Sequence, residues 1–172
     1  GKEYICSIED MQSDIVKAVI VDINGESREL PVKITLFQGL PKNDKMELII
    51  QKAVELGVAE IVPMATKRAV VKLDAKKSKA RCDRWTSIAK SASMQSGRAS
   101  KPIVHMPRSV AGAFDAVKDC DAVLVCWEEA KLSDTLAKAV SSCIAATGKD
   151  PRSLRIALVA VSYTHLRAHE TK

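Results

Sequence analysis

No run of eighteen apolar residues occurs in the chain, so no segment reads as a membrane-spanning helix. The opening "GKEYICSIED" lacks the basic and then apolar stretches of a secretion signal. It does not begin with Met, and the expectation is a piece of a longer protein. Cys6, Cys82, Cys120, Cys126 and Cys143 are odd in number, widely spaced and free of any CxxC pair. That argues against a disulfide framework or a zinc site, and for the reduced thiols of a cytoplasmic protein. The first strand-to-helix turn, "LFQGLPKNDK", holds a single glycine. It is no dinucleotide fingerprint, and no phosphate-binding P-loop, GxSxG or HExxH occurs elsewhere.

What is present is a core and a charge pattern. Apolar residues make up 47% of 172, enough for one medium domain or for one domain and part of another. The net charge of +6 is unevenly spread. Gly1 to Pro41 holds 4 basic and 7 acidic residues, Lys42 to Lys101 holds 14 and 6, and Pro102 to Lys172 holds 9 and 8. The middle third therefore carries the positive charge. A phosphate-rich partner and a solvated basic face are both open readings.

Local patterns predict an α/β chain. "EYICSIED" and "IVKAVIVDI" read as strands, and Asn24-Gly25 as a hairpin turn leading to "SRELPVKI". "VKITLFQGL" is a nearly continuous apolar strand. The next segment predicts a helix, with Asp44 as N-cap, Met46, Ile49, Ile50, Ala53 and Leu56 at helical spacing, and Gly57 as the stop. "AEIVPMA" is the following strand, which makes a βαβ unit and a parallel sheet. Asp83 to Met94 predicts a helix with Trp85, Ile88, Ala89 and Ala92 on one face. "DAVLVCW" predicts a buried strand, "LSDTLAKAVSSCIA" a helix capped by Ser133, and "SLRIALVA" a last strand.

Three ordered stretches carry a resemblance. They are "LFQGLPKNDKMELIIQKAVELGVAEIVPMATKRAVVK", "RWTSIAKSASMQSGRASKPIV" and "AVLVCWEEA". Together they resemble the RsmE family of 16S ribosomal RNA methyltransferases, over most of Leu36 to Val159. The resemblance implies transfer of a methyl group from S-adenosylmethionine to N3 of one uridine. It implies a PUA-like RNA-binding β-domain, of which residues 1–32 would be the end. A SPOUT-type trefoil-knot domain would follow over residues 33–159, usually in a homodimer. It also implies a glycine-rich I-G-P-E-G-G loop after a strand like "RIALV", and no such loop is present here. This polypeptide is accordingly expected to be inactive, truncated at both ends and aggregation-prone. A non-catalytic RNA-binding or scaffold domain is the alternative.

The site candidates follow from charge and motif. Lys42, Lys45, Lys67, Arg68, Lys72, Arg84 and Arg98 are candidates for RNA phosphate contact, as are Lys52 and Arg81. Any of them alone also reads as a surface charge. Gln95 fits a base-edge contact or a loop closure equally. The implied reaction must remove or neutralise the N3 proton, and Arg68 or Arg98 could favour a uridine anion electrostatically. Glu128, beyond a predicted strand end, is a weak cofactor-side candidate. Trp85 reads as core, and Glu55 as the partner of a helix lysine.

His165 and His169 stand four apart, a spacing that can hold a metal. They lie in "VSYTHLRAHET", which is what one reading frame of a common transposon-type sequencing adapter encodes. Residues 160–172 are therefore expected to be a non-native tail, set aside from the fold with no metal site.

Overall fold

The computed structural model describes residues 3–25, 29–41, 45–65, 75–126 and 135–160. Two antiparallel strands, β1 (Glu3–Met11) and β2 (Val16–Asn24), form a hairpin. Its turn lies at residues 12–15, where the Gln12 N–H donates to the Ile15 carbonyl at 2.9 Å. The Asn24-Gly25 pair is thus not a hairpin turn, because β2 ends there and its antiparallel partner is β1. The next strand, at residues 33–39, pairs in parallel along both edges with other strands and has no edge left for β2. Tyr4, Ile5, Ile8, Val19, Ile20, Val21 and Ile23 are all exposed on this ribbon.

The remaining described elements build one parallel sheet in the order β5-β4-β3-β8-β7, with β6 also pairing to β4. The strands are β3 (Lys33–Gly39), β4 (Glu60–Ala65), β5 (Ile103–Val104), β6 (Arg108–Ser109), β7 (Ala122–Cys126) and β8 (Arg155–Ala160). The helices are α1 (Lys45–Glu55), α2 (Ala75–Gln95), α3 (Val110–Val117) and α4 (Leu136–Thr147). A short 3-10 turn at Pro151–Ser153 leads into β8.

Side chains alternate across the strands and select the two faces. Leu36 and Ile61 pack with Met46, Ile50 and Val54 of α1 and with Trp85, Ala89 and Ala92 of α2. Ala122 and Ile156 meet Cys143 and Ile144 of α4 on that same face. Phe37, Val62, Met64, Ala157 and Val159 point the other way, onto Ala113 and Val117 of α3. Full burial of Phe37, Ile50, Ile61 or Val54 contributes about 1.5–3 kcal/mol each.

Several local readings change. α2 begins eight residues before Asp83, so its basic first turns are helical. Leu56 is 78% exposed, because it follows the last turn of α1 and leaves the core stripe. Strand β7 is not buried throughout: Val123 and Val125 are 43% and 55% exposed, on the same face as Ala157 and Val159 but beyond the cluster that α3 forms with β3, β4 and β8. Thr135 caps α4, accepting from the Lys138 N–H at 3.3 Å, while Ser133 lies outside the described residues, as does Asp44. Helix α3, with its Ser109 cap, has no counterpart in the sequence reading.

Candidate functional site

In a parallel sheet every strand leaves at the same end. β3 leaves at Gly39, β4 at Ala65, β7 at Cys126 and β8 at Ala160. Ligands of open α/β sheets lie beyond these carboxyl ends. Helices α1 and α2 follow β3 and β4, so both begin at this end and run back toward the amino ends. Lys45 stands exposed at the first position of α1. The buried Gln38 side chain donates to the Gly39 carbonyl at 2.9 Å, and the Leu40 N–H donates to Met64 at 2.9 Å, which fixes the rim.

The opposite end explains two of the sequence motifs. Both "ELGV" and "QSGR" stop a helix. Gly57 takes φ +96°, its N–H donates to Val54 and the Val58 N–H donates to Ala53, both at 3.0 Å. Gly97 takes φ +64°, its N–H donates to Met94 at 3.3 Å and the Arg98 N–H donates to Ser93 at 2.9 Å. Each is a Schellman arrangement that satisfies the last carbonyls of its helix. The second delivers Arg98 to the first. Arg98 Nη1 donates to the Val54 and Val58 carbonyls at 3.1 and 2.7 Å. Its Nε and Nη2 donate to the Glu29 carboxylate at 3.2 and 2.5 Å.

Glu29 also accepts the Ser100 N–H at 2.9 Å. Burial works to raise its carboxyl pKa, but the Arg98 and Ser100 hydrogen bonds outweigh it and hold the group below the ordinary carboxylate range. The Arg98 side chain is only 7% exposed. The guanidinium is thus engaged in a structural clasp at the amino end of the sheet.

Gln95, the last residue of α2, is exposed at that same end. Arg84 lies midway along α2, bound bidentately to Glu47 of α1 through Nε at 2.6 Å and Nη2 at 2.9 Å. Helix α2 is about 30 Å long, so Gln95 and Arg98 are separated from the carboxyl end by most of the domain. The structure therefore divides the sequence candidates: Lys45, and Arg84 through its pair with Glu47 in the first turn of α1, stand toward the carboxyl end, and Gln95 and Arg98 away from it. Lys42, Lys67, Arg68, Lys72 and Glu128 lie outside the described residues. Glu55 does pair with a helix lysine, Lys52, at 2.8 Å, and Trp85 is buried core.

Glu29 went unread in the sequence, since 69 positions separate it from Arg98 and no local pattern links them. A cleft of about 290 Å³ sits beside the clasp, lined by Glu29, Lys33, Glu60, Arg98 and Lys101 among others. Its carboxylates are already engaged, Glu29 by Arg98 and Glu60 by His105 at 2.7 Å.

Comparison with known proteins agrees with this architecture. The profile of an RNA methyltransferase domain matches residues 28–154. The ribosomal RNA small subunit methyltransferase E of Bacillus subtilis (strain 168) is 41% identical over 129 residues, which is 75% of this chain and 50% of that protein. The chain spans about half the length of the first curated relatives it matches. A ribosomal RNA small subunit methyltransferase E from Neisseria gonorrhoeae, solved bound to S-adenosyl methionine, has a TM-score of 0.71 at 27% identity, covering 94% of this chain and 62% of that one. A Legionella pneumophila putative methyltransferase in complex with the same cofactor has a TM-score of 0.69 at 30% identity, covering 92% and 60%. The profile covers most of the chain and the parallel sheet superimposes on methyltransferase folds: the chain belongs to the RNA methyltransferase family, with ribosomal RNA small subunit methyltransferases E among its relatives.

Proposed function

We propose that the complete protein transfers a methyl group from S-adenosylmethionine to N3 of a uridine in 16S ribosomal RNA, as a cytoplasmic homodimer. The observation that carries this reading is the family match over a parallel sheet whose carboxyl end is edged by basic helix starts. The N3 proton must leave or the uridine anion must be stabilised, and a cation near the carbonyl oxygens does the latter. Arg98 is held at the opposite end by Glu29, which leaves Arg68, between β4 and α2 in the sequence, as the arginine proposed for this role.

Among the described residues no cofactor cradle is built. The described strand ends offer Gly39, Ala65, Cys126 and Ala160, with the Gln38 amide turned onto Gly39. No step through the cofactor is derived for this polypeptide. Its domain division at residues 32 and 33, and the non-native origin of residues 160–172, belong to the same proposal. Calorimetric titration of S-adenosylmethionine into this chain is expected to show no binding at micromolar concentration. Clear micromolar binding would contradict it. For the complete protein, a strain lacking it should lose a reverse-transcription stop at one uridine of 16S RNA, because a methyl on N3 blocks base pairing. Persistence of that stop would refute the substrate assignment. A non-catalytic RNA-binding role is the second reading, favoured by the basic exposed face of α2.

A further inference from the structure

Helix α2 is the most unevenly charged element in the described chain. It holds Lys76, Lys77, Lys79, Arg81, Arg84 and Lys90 against a single acid, Asp83. Its buried stripe is Ser78, Cys82, Trp85, Ala89, Ala92 and Ser93, so the basic side chains face solvent. Their position is electrostatically costly. The helix dipole places partial positive charge at the N-terminus, where acids are favoured and lysines are not. Yet the first turn of α2 holds no acid, and lysines follow at its second, third and fifth positions. Among the described residues no ion pair engages Lys76, Lys79 or Arg81.

The two ends of the sheet differ in this respect. At the amino end the carboxylates of Glu29, Glu55 and Glu60 are each matched by Arg98, Lys52 or His105. At the carboxyl end no ion pair among the described residues engages Lys76, Lys79 or Arg81, and Lys45 at the start of α1 is exposed. A positive field that the described residues leave uncompensated is suited to an external polyanion.

We infer that the first turns of α2, through Lys76, Lys79 and Arg81, form a contact surface for the phosphate backbone of RNA at the carboxyl end of the sheet. This rests on the RNA methyltransferase reading and deepens it. The surface positions RNA and carries no base specificity, as contacts to phosphate do. It also places the RNA backbone at the end where a parallel sheet takes its ligands, and away from Gln95 and Arg98.

The test is binding of this chain to deproteinised small-subunit ribosomal RNA and to an unrelated RNA of equal length, across a salt series. The variant is Lys76→Ala with Lys79→Ala and Arg81→Ala, all exposed and all favourable to a helix. It should bind both RNAs at least about tenfold more weakly at low salt, with the logarithmic salt slope reduced by roughly one per lost phosphate contact. A control, Lys33→Ala with Lys101→Ala, removes charge at the amino end and should change affinity by less than about twofold, as expected if phosphate contacts are confined to the other end. Circular dichroism should show equal helix content in all three proteins. Unchanged affinity in the triple variant, or an equal loss per charge in the control, overturns the inference. If the unaltered chain shows no salt-dependent RNA binding, the RNA reading itself fails, and that result is visible before any variant is compared.

Discussion

Removing the Arg98 guanidinium would strand the Glu29 carboxylate and two carbonyls of the α1 terminus together. Breaking a buried ion pair from one side costs about 3–5 kcal/mol, so Arg98→Ala should shift the urea midpoint sharply downward. Arg98→Lys should recover only part, because one ammonium cannot span acceptors on both sides of the clasp. The same pair sets a pH dependence. The Glu29 pKa is lower folded than unfolded, so on acidification the unfolded chain takes up the proton first. The stabilisation is present at neutral pH, falls as pH drops below the ordinary carboxylate value, and is gone below the folded one. Unfolding midpoints measured from pH 7 to pH 3 should show this decline, and Glu29→Gln should flatten it. Gly57 offers a backbone test. A Cβ there would stand 2.7 Å from the Leu30 side chain, at φ +96°. Gly57→Ala should therefore destabilise, and adding Leu30→Ala should remove the contact yet leave about 1–2 kcal/mol of left-handed backbone cost, measurable by thermal unfolding.

Elements differ in how much of their stability is their own. Helices α1 and α2 bury continuous stripes against the sheet and end in satisfied glycine stops. The β1–β2 hairpin exposes apolar side chains along its whole length, and an isolated two-stranded ribbon is at best marginally stable in water. Amide exchange should therefore be fast in β1 and β2 and slow in β3 and β4; equal protection would show that the ribbon is stabilised by contacts beyond its own pairing. Strand β7 pairs with β8 on one side and, among the described residues, with nothing on the other. Its exposed Val123 and Val125 make it a template for edge association. Val125→Lys should lower light scattering on concentration while leaving the far-ultraviolet dichroism unchanged. These features agree with a chain that covers about half of its curated relatives.

For the molecule as a whole, the sequence determined whatever depends on a few neighbouring residues. The βαβ alternation, the core face of α1, the burial of Trp85 and the stop at Gly57 were legible, because helix and strand periods are set by local backbone geometry. The family resemblance was legible for a related reason: the motifs "ELGV" and "QSGR" are contiguous. Their meaning was not. That "QSGR" ends a helix and sends Arg98 to Glu29 depends on α1, α2 and the segment before β3 meeting at one end of the sheet. The Asn24-Gly25 reading failed likewise, since strand pairing between distant residues decides where a ribbon turns. Only the tertiary structure placed β8 between β3 and β7 and divided the basic residues between two ends of the domain. Charge along a sequence has no direction until the sheet orders the strands. That ordering is fixed by burial summed over contacts far apart in the chain, which no local pattern encodes.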